Sequence, residues 1–244
     1  MADAKKRHPK ILTSASYNNV LKGADDMANW ESQIDTALSI IGRSRTGTAV
    51  ISAINRTARI MLIVPDPGTE INAATYQTNT AKAYPPGVRI VDDSGRTTGS
   101  TIGGGSCTII EITPSNYSKR AGVFSSADAG LLHEMCHGLH VMTGTLQAHR
   151  SLGANFDNLD EFWAITLTNI YVSEKGYKQL RRDHHGRELL DPQYSTSQGF
   201  YAWAGGQIKE ICKTAPTLCR DIAAIPADFN PVRYYYQHIL RERL

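Results

Sequence analysis

His133-Glu134-Met135-Cys136-His137 decides how this chain is read. Its two histidines are four residues apart. On a helix that spacing puts them on one face, a turn apart, where both imidazoles can reach one metal ion. The Glu beside the first His then stands close enough to take a proton from a water at that ion. The HExxH pattern therefore points to a zinc-dependent hydrolase, provided that the stretch is helical.

The flanks predict a helix. Ser125-Ser126-Ala127-Asp128 offers a hydroxyl cap and an acid for the first turn. Gly144 offers a stop. Between them Leu131, Leu132, Met135, Leu139 and Met142 fall within an arc of roughly 100°. His133, His137 and His140 fall on the other side, within about 60°. One face suits a core and the other a metal. Cys136 turns toward the apolar side as a buried thiol. His140 lies a further turn along, where three ligands on one straight helix converge poorly; it is expected to line the cleft or support a ligand.

Catalytic zinc usually takes three protein ligands and keeps the fourth position open. The longer pattern with Gly three and His six residues after His137 fails, because those positions hold His140 and Thr143. A second helix can supply a carboxylate. Asn158 to Lys175 has an apolar stripe (Leu159, Phe162, Trp163, Thr166, Leu167, Ile170), with Asp157 as N-cap and Gly176 as stop. Glu161 lies off that stripe, a short helix-to-helix connection beyond His137. It is the first choice for third ligand, with Asp160 and Asp157 as alternatives. The same acids would also suit the positive end of a helix dipole.

The remaining sequence bounds the answer. The 244 residues are 41% hydrophobic and 20% charged, with net charge +3. That suits one sizeable domain and gives no electrostatic case for nucleic acid. No apolar run approaches the roughly 18 residues of a membrane span. Residues 1–25 read as a flexible leader and 26–244 as one zinc metallopeptidase domain. Met1 to Lys10 is basic without an apolar stretch, so no cleaved secretory signal is expected. Of the four Cys, Cys212 and Cys219 could form a bridge if the chain turns between them, most plausibly after export from a reducing cytoplasm.

The predicted fold class is α+β and zincin-like. A small mixed or antiparallel sheet in the N-terminal half packs on the HExxH helix and the second ligand helix, and the C-terminal third is helical. Met27 to Ile41 is an amphipathic helix; Thr48 to Ile54 is a helix or a strand. Arg59 to Val64, Val88 to Val91 and Cys107 to Thr113 are strands. Asp92 to Gly95 is a turn, and Thr69 to Ala83 shows no clear period. Gly103-Gly104-Gly105 lacks the Lys-Ser/Thr and helix of a phosphate loop.

The chain resembles the NleD-type zinc metallopeptidases, a family of bacterial effectors with related toxin domains. The likeness rests on Gly99 to Thr113, on Leu131-Leu132-His133-Glu134-Met135-Cys136-His137-Gly138-Leu139-His140, on Asn158-Leu159-Asp160-Glu161, and on Ser173-Glu174 and Leu180-Arg181. It runs from about Thr48 to Gly186. Where the family usually has Glu, this chain has Asp160, and the matching Glu161 is favoured as ligand. The resemblance implies a secreted virulence peptidase, made in a bacterial cytoplasm and exported without a cleaved signal peptide. It implies a protein substrate in a host or target cell, and secretion machinery or a cognate immunity or chaperone protein as further partners.

The expected chemistry is metalloendopeptidase hydrolysis. His133, His137 and Glu161 hold Zn²⁺, and Glu134 is the general base that later protonates the leaving amine. A His or Tyr from later in the chain stabilises the oxyanion, the candidates being His184, His185, Tyr171 and Tyr234-Tyr235-Tyr236. Two other readings are hydrolysis of a different amide, in cell-wall peptide or a small molecule, and a zinc-containing module that binds a partner without cutting it.

Overall fold

A four-stranded mixed sheet carries the N-terminal half. The computed structural model of the chain describes residues 8–17, 19–67, 73–91, 96–117, 126–148, 151–153, 156–183 and 188–242. Strands β1 (Ile11–Thr13), β2 (Met61–Val64) and β6 (Thr108–Ile112) run parallel, and β3 (Ala73–Gln77) runs antiparallel to β6 at one edge. Ile11, Met61, Ile63, Ile110 and Ile112 are buried in the main core. Strand alternation puts Met61 and Ile63 on one face of β2, and Ile110 and Ile112 on the same face of β6. Strands β4 (Arg89–Val91) and β5 (Thr97–Ser100) form a separate hairpin. The turn read at Asp92 to Gly95 lies outside the described residues.

Strand β1 lies inside the segment read as a leader. Ile11 is buried and the strand pairs with Met61 to Ile63 of β2, so ordered structure begins within residues 1–25. Two helices connect β1 to β2: α1 (Ala24–Arg43) and α2 (Arg45–Asn55). Helix α1 buries Trp30, Ile34, Ala37, Leu38 and Ile41, the predicted stripe, and the Trp30 indole N–H donates to the Ile112 carbonyl at 2.9 Å. Helix α2 resolves the helix-or-strand ambiguity. Ser44 caps it by accepting from the Gly47 amide at 2.9 Å, a local bond that a strand would not use.

Strand β3 falls in the stretch without a predicted period. Its residues are only half-buried, so no strong alternation is written into them; the edge offered by β6 makes them a strand.

Helix α3 (Ala127–Thr143) carries the HExxH residues. It begins after Ser126 and ends at Gly144, whose φ of 73° is the left-handed conformation that glycine adopts cheaply. The sheet rests directly on it. A Cβ at Gly138 would stand 2.6 Å from Met61 Cε and 3.1 Å from Thr108 Cγ2, so the side chains of β2 and β6 reach the helix surface there. Helix α4 (Leu159–Glu174) packs against α3, and its predicted stripe is buried. Its cap is Asn158, not the expected Asp157. Asn158 is extended and accepts from the Glu161 amide at 3.0 Å, whereas Asp157 has φ of 49° and belongs to a short two-stranded pairing with Ser151–Gly153.

Side-chain contacts tie the end of α4 to the first turn of α3 and to the start of α2. Asp128 in the first turn of α3 accepts from Tyr171 Oη at 2.5 Å and Lys175 Nζ at 2.7 Å. Glu174 at the end of α4 accepts from the amides of Arg45 and Thr46, at 2.7 and 2.9 Å, and so closes the N-terminus of α2. The C-terminal part is helical as predicted, with α5 (Ser197–Thr214) and α6 (Pro216–Ala223) as its main elements. Phe200 packs on Phe162 and Phe229 to join this part to α4. Cys212 and Cys219 are both free thiols, not bridged, as are Cys136 and Cys107. Among the described residues no helix is long and apolar enough to cross a membrane.

Candidate metal centre

Three ligating groups converge between α3 and α4. His133 Nε2 and His137 Nε2 stand 3.1 Å apart. Glu161 Oε2 lies 3.3 Å from the first and Oε1 lies 3.4 Å from the second. The helical register produces the histidine pair, and the second turn-start, with Asn158 holding the Glu161 amide, sets the carboxylate. His133, His137 and Glu161 are the group of His, Cys, Asp and Glu side chains that could hold a metal ion among the described residues.

The spacing fits an ion. Tetrahedral bonds of about 2.0–2.1 Å to nitrogen and carboxylate oxygen put ligand atoms roughly 3.3 Å apart. The observed separations are 3.1–3.4 Å, with the two histidines facing different oxygens of the Glu161 carboxylate. The donor set also suits one. Two imidazole nitrogens aimed at each other beside a carboxylate bring three lone-pair donors to one point, which a cation satisfies.

Asp160 does not ligate. Its carboxylate accepts from His137 Nδ1 on one oxygen and from His140 Nδ1 on the other. This favours the His137 tautomer that leaves Nε2 as a lone-pair donor toward His133 and Glu161. Asp157 is exposed and lies outside the ligand group. His140 also stacks on Trp163, with ring centroids 5.5 Å apart.

The charges are strongly coupled. Burial opposes ionisation of Asp160, but the His140 and His137 imidazoles hold its pKa below the usual carboxylate value. Glu161 is likewise held far down, against burial, by His137 and His133. Burial disfavours the His137 cation, yet the Glu161 and Asp160 carboxylates keep its pKa well above the ordinary value. His133 moves the other way, lowered by burial and then by the Arg181 guanidinium.

Arg181 was not among the expected site residues. Its Nη2 is 3.4 Å from His133 Nδ1, and Glu161, Asp183 and Glu134 are the carboxylates that favour its charge. Asn169, fully buried on α4, clamps the Arg181 backbone by donating to its carbonyl at 2.8 Å and accepting from its amide at 2.9 Å. Residues 177–183 run without helix, and Arg181 forms an isolated bridge with Leu189. His184 and His185 lie outside the described residues.

Tyr171 is removed as an oxyanion donor, because its hydroxyl is held by Asp128. Tyr234, Tyr235 and Tyr236 pack instead around Tyr201 and the Pro216 carbonyl. Glu134 sits on the side of α3 that faces the sheet edge. Thr75 Oγ1 of β3 donates to Glu134 Oε2 at 2.8 Å, so one carboxylate oxygen is oriented by the strand.

The model of the Peptidase M91 family, described as "effector protein", matches residues 18–192. The chain belongs to that family. The matched span holds β2, β3, β6, both ligand helices and Arg181, so the Peptidase M91 match encloses the whole centre. The resemblance to NleD-type effector peptidases drawn from the sequence is borne out. Helices α5 and α6 lie beyond the matched residues. No curated protein and no solved structure matches the chain.

Proposed function

We propose that this chain is a zincin: a zinc-dependent endopeptidase that cleaves a protein, acting as a secreted bacterial effector or toxin in a host or target cell. The convergence of His133, His137 and Glu161 between two packed helices, inside a peptidase family match, carries this reading. These three residues hold the ion. When bound, zinc supplies Lewis acidity, polarising a carbonyl oxygen and making water a stronger acid.

The other side chains do the remaining work. Asp160 keeps the proton of His137 on Nδ1 and leaves Nε2 as the ligand atom. Glu134 takes a proton from the attacking water and delivers it to the departing amine. Thr75 holds Glu134 Oε2, leaving Oε1 for the proton. Arg181 binds the scissile carbonyl oxygen as negative charge grows on it, the role assigned from sequence to a His or Tyr. Strand β3 is the edge of the sheet nearest Glu134, and among the described residues no strand pairs with its outer side. An extended substrate adds there as a strand, which supports protein cleavage over hydrolysis of a small amide.

The test joins metal content to turnover. Purified chain should carry close to one zinc, as should Glu134→Gln, while Glu161→Ala should lose it. Glu134→Gln should cut turnover of a cleaved protein or peptide about 10²- to 10⁴-fold. Undiminished cleavage by Glu134→Gln would remove the mechanism, and a folded chain that takes up no supplied zinc would remove the centre.

A further inference from the structure

A pocket lies beside α3 away from the metal centre. A cavity of about 370 Å³ opens on the far side of His140, between the end of α2, the last turns of α3 and the α5–α6 junction. That size is within the range of small-molecule sites. Leu139, Met142 and Leu218 give it an apolar wall. Arg56 and Arg59 line it as well, and no Asp or Glu is among its lining residues.

Both guanidiniums are available to an anion. Arg59 spends one N–H on the Gly104 carbonyl at 3.1 Å, which anchors it while its other donors remain. Arg56 is paired with Asp221 at 3.4 Å, with both side chains about half exposed. Exposed pairs of this kind contribute roughly 0–1 kcal/mol, so an incoming carboxylate can replace Asp221 at little cost.

His140 connects this cavity to the centre. It lines the cavity, its side chain is 9% exposed, and its Nδ1 is committed to Asp160. A second, narrower cavity of about 20 Å³ shares His140, Thr145 and Thr214 and reaches Asp160 and Trp163. Whatever fills the space therefore presses on a ring held to the same carboxylate that orients His137.

We propose that this cavity is a second ligand site. It takes a small organic acid with an apolar body, the carboxylate between Arg56 and Arg59 and the body against Leu139, Met142 and Leu218. Its occupancy is felt at the metal centre through the path His140–Asp160–His137. The coupling rests on the metal reading of the site; the binding does not.

Octanoate is the probe, titrated by calorimetry into the full chain in its metal-free and zinc-loaded forms. Saturable binding is expected in both. Octanol, which has the body without the charge, should bind at least about tenfold more weakly, and so should octanoate to the Arg56→Gln/Arg59→Gln variant. Coupling makes the two octanoate affinities differ, by about fivefold or more for ordinary site-to-site coupling, and zinc affinity must shift by the same factor. His140→Phe keeps an aromatic ring for the stack on Trp163 but removes the bond to Asp160, and should abolish the difference. Absent saturation, equal affinity for octanol, or full binding by the double Arg variant would each overturn the site. Equal octanoate affinities with and without zinc would overturn the coupling while leaving the metal centre to its own zinc analysis.

Discussion

His133 and His137 are one turn apart on one helix, offer the same atom to the same point, and have opposite surroundings. Behind His137 is a carboxylate, Asp160; beside His133 is a guanidinium, Arg181. The first accepts the ring proton and makes its imidazole the better donor to a cation. The second can only donate, so it offers nothing to a ring N–H. A motif that looks symmetric in sequence thus stands between a carboxylate and a guanidinium; under the proposed function the carboxylate side secures the ion and the guanidinium side faces the substrate.

The sharpest way to break this division is at Arg181. Arg181→Met should leave zinc content unchanged while kcat/KM falls about 10²- to 10³-fold, the loss seen when one oxyanion donor is removed. Zinc loss in that variant, measured by elemental analysis, would place Arg181 with the structural half instead. On the other side, Asp160→Asn should keep the fold but weaken zinc binding about 10- to 100-fold in a chelator competition. An unchanged affinity would mean that Asp160 serves His140 alone.

Acid provides a milder probe of the same carboxylates. Asp160 and Glu161 have folded pKa values below their ordinary ones. Such groups stabilise the fold above their unfolded values, about 3.9 for Asp and 4.3 for Glu, and lose that contribution as pH falls through the folded values. The melting temperature of the metal-free chain should therefore drop below about pH 4, and Asp160→Asn should flatten the decline. A decline of the same steepness in both proteins would assign acid lability to other groups. The smallest effect belongs to the cap. Asn158→Ala should cost about 1 kcal/mol in a urea melt. It should leave zinc binding nearly intact, because the carboxylate of Glu161 is held by two histidines as well as by its helix.

Much of this was legible from the chain. Periodicity exposed α1, α3 and α4, because each buries a stripe whose spacing survives in sequence. The histidine pair followed from helix geometry, and the need for one more carboxylate pointed to the start of α4. Strand β3 was hidden because none of its residues is fully buried, so neither face needs an apolar stripe. Asp160 and Asp157 could not be separated from Glu161 by spacing alone. One turn of helix presents neighbouring acids in different directions, and only the packed α3–α4 pair shows which faces which. Arg181 was the hardest to see. It is placed by a side chain twelve residues earlier, Asn169, holding its backbone, and no local pattern records that contact.

Glu174 closes the end of α2 by holding the amides of Arg45 and Thr46, residues 129 and 128 positions away. The helix that contributes Glu161 is therefore tied at one end to the earliest helices of the chain. Bringing such distant partners together carries a loop-closure cost that local turns do not, and it slows folding. The centre is therefore expected to assemble late in refolding, after the stretch from Arg45 to Glu174 has come together. Metal uptake during refolding would then act as a clock for the final step rather than as its trigger.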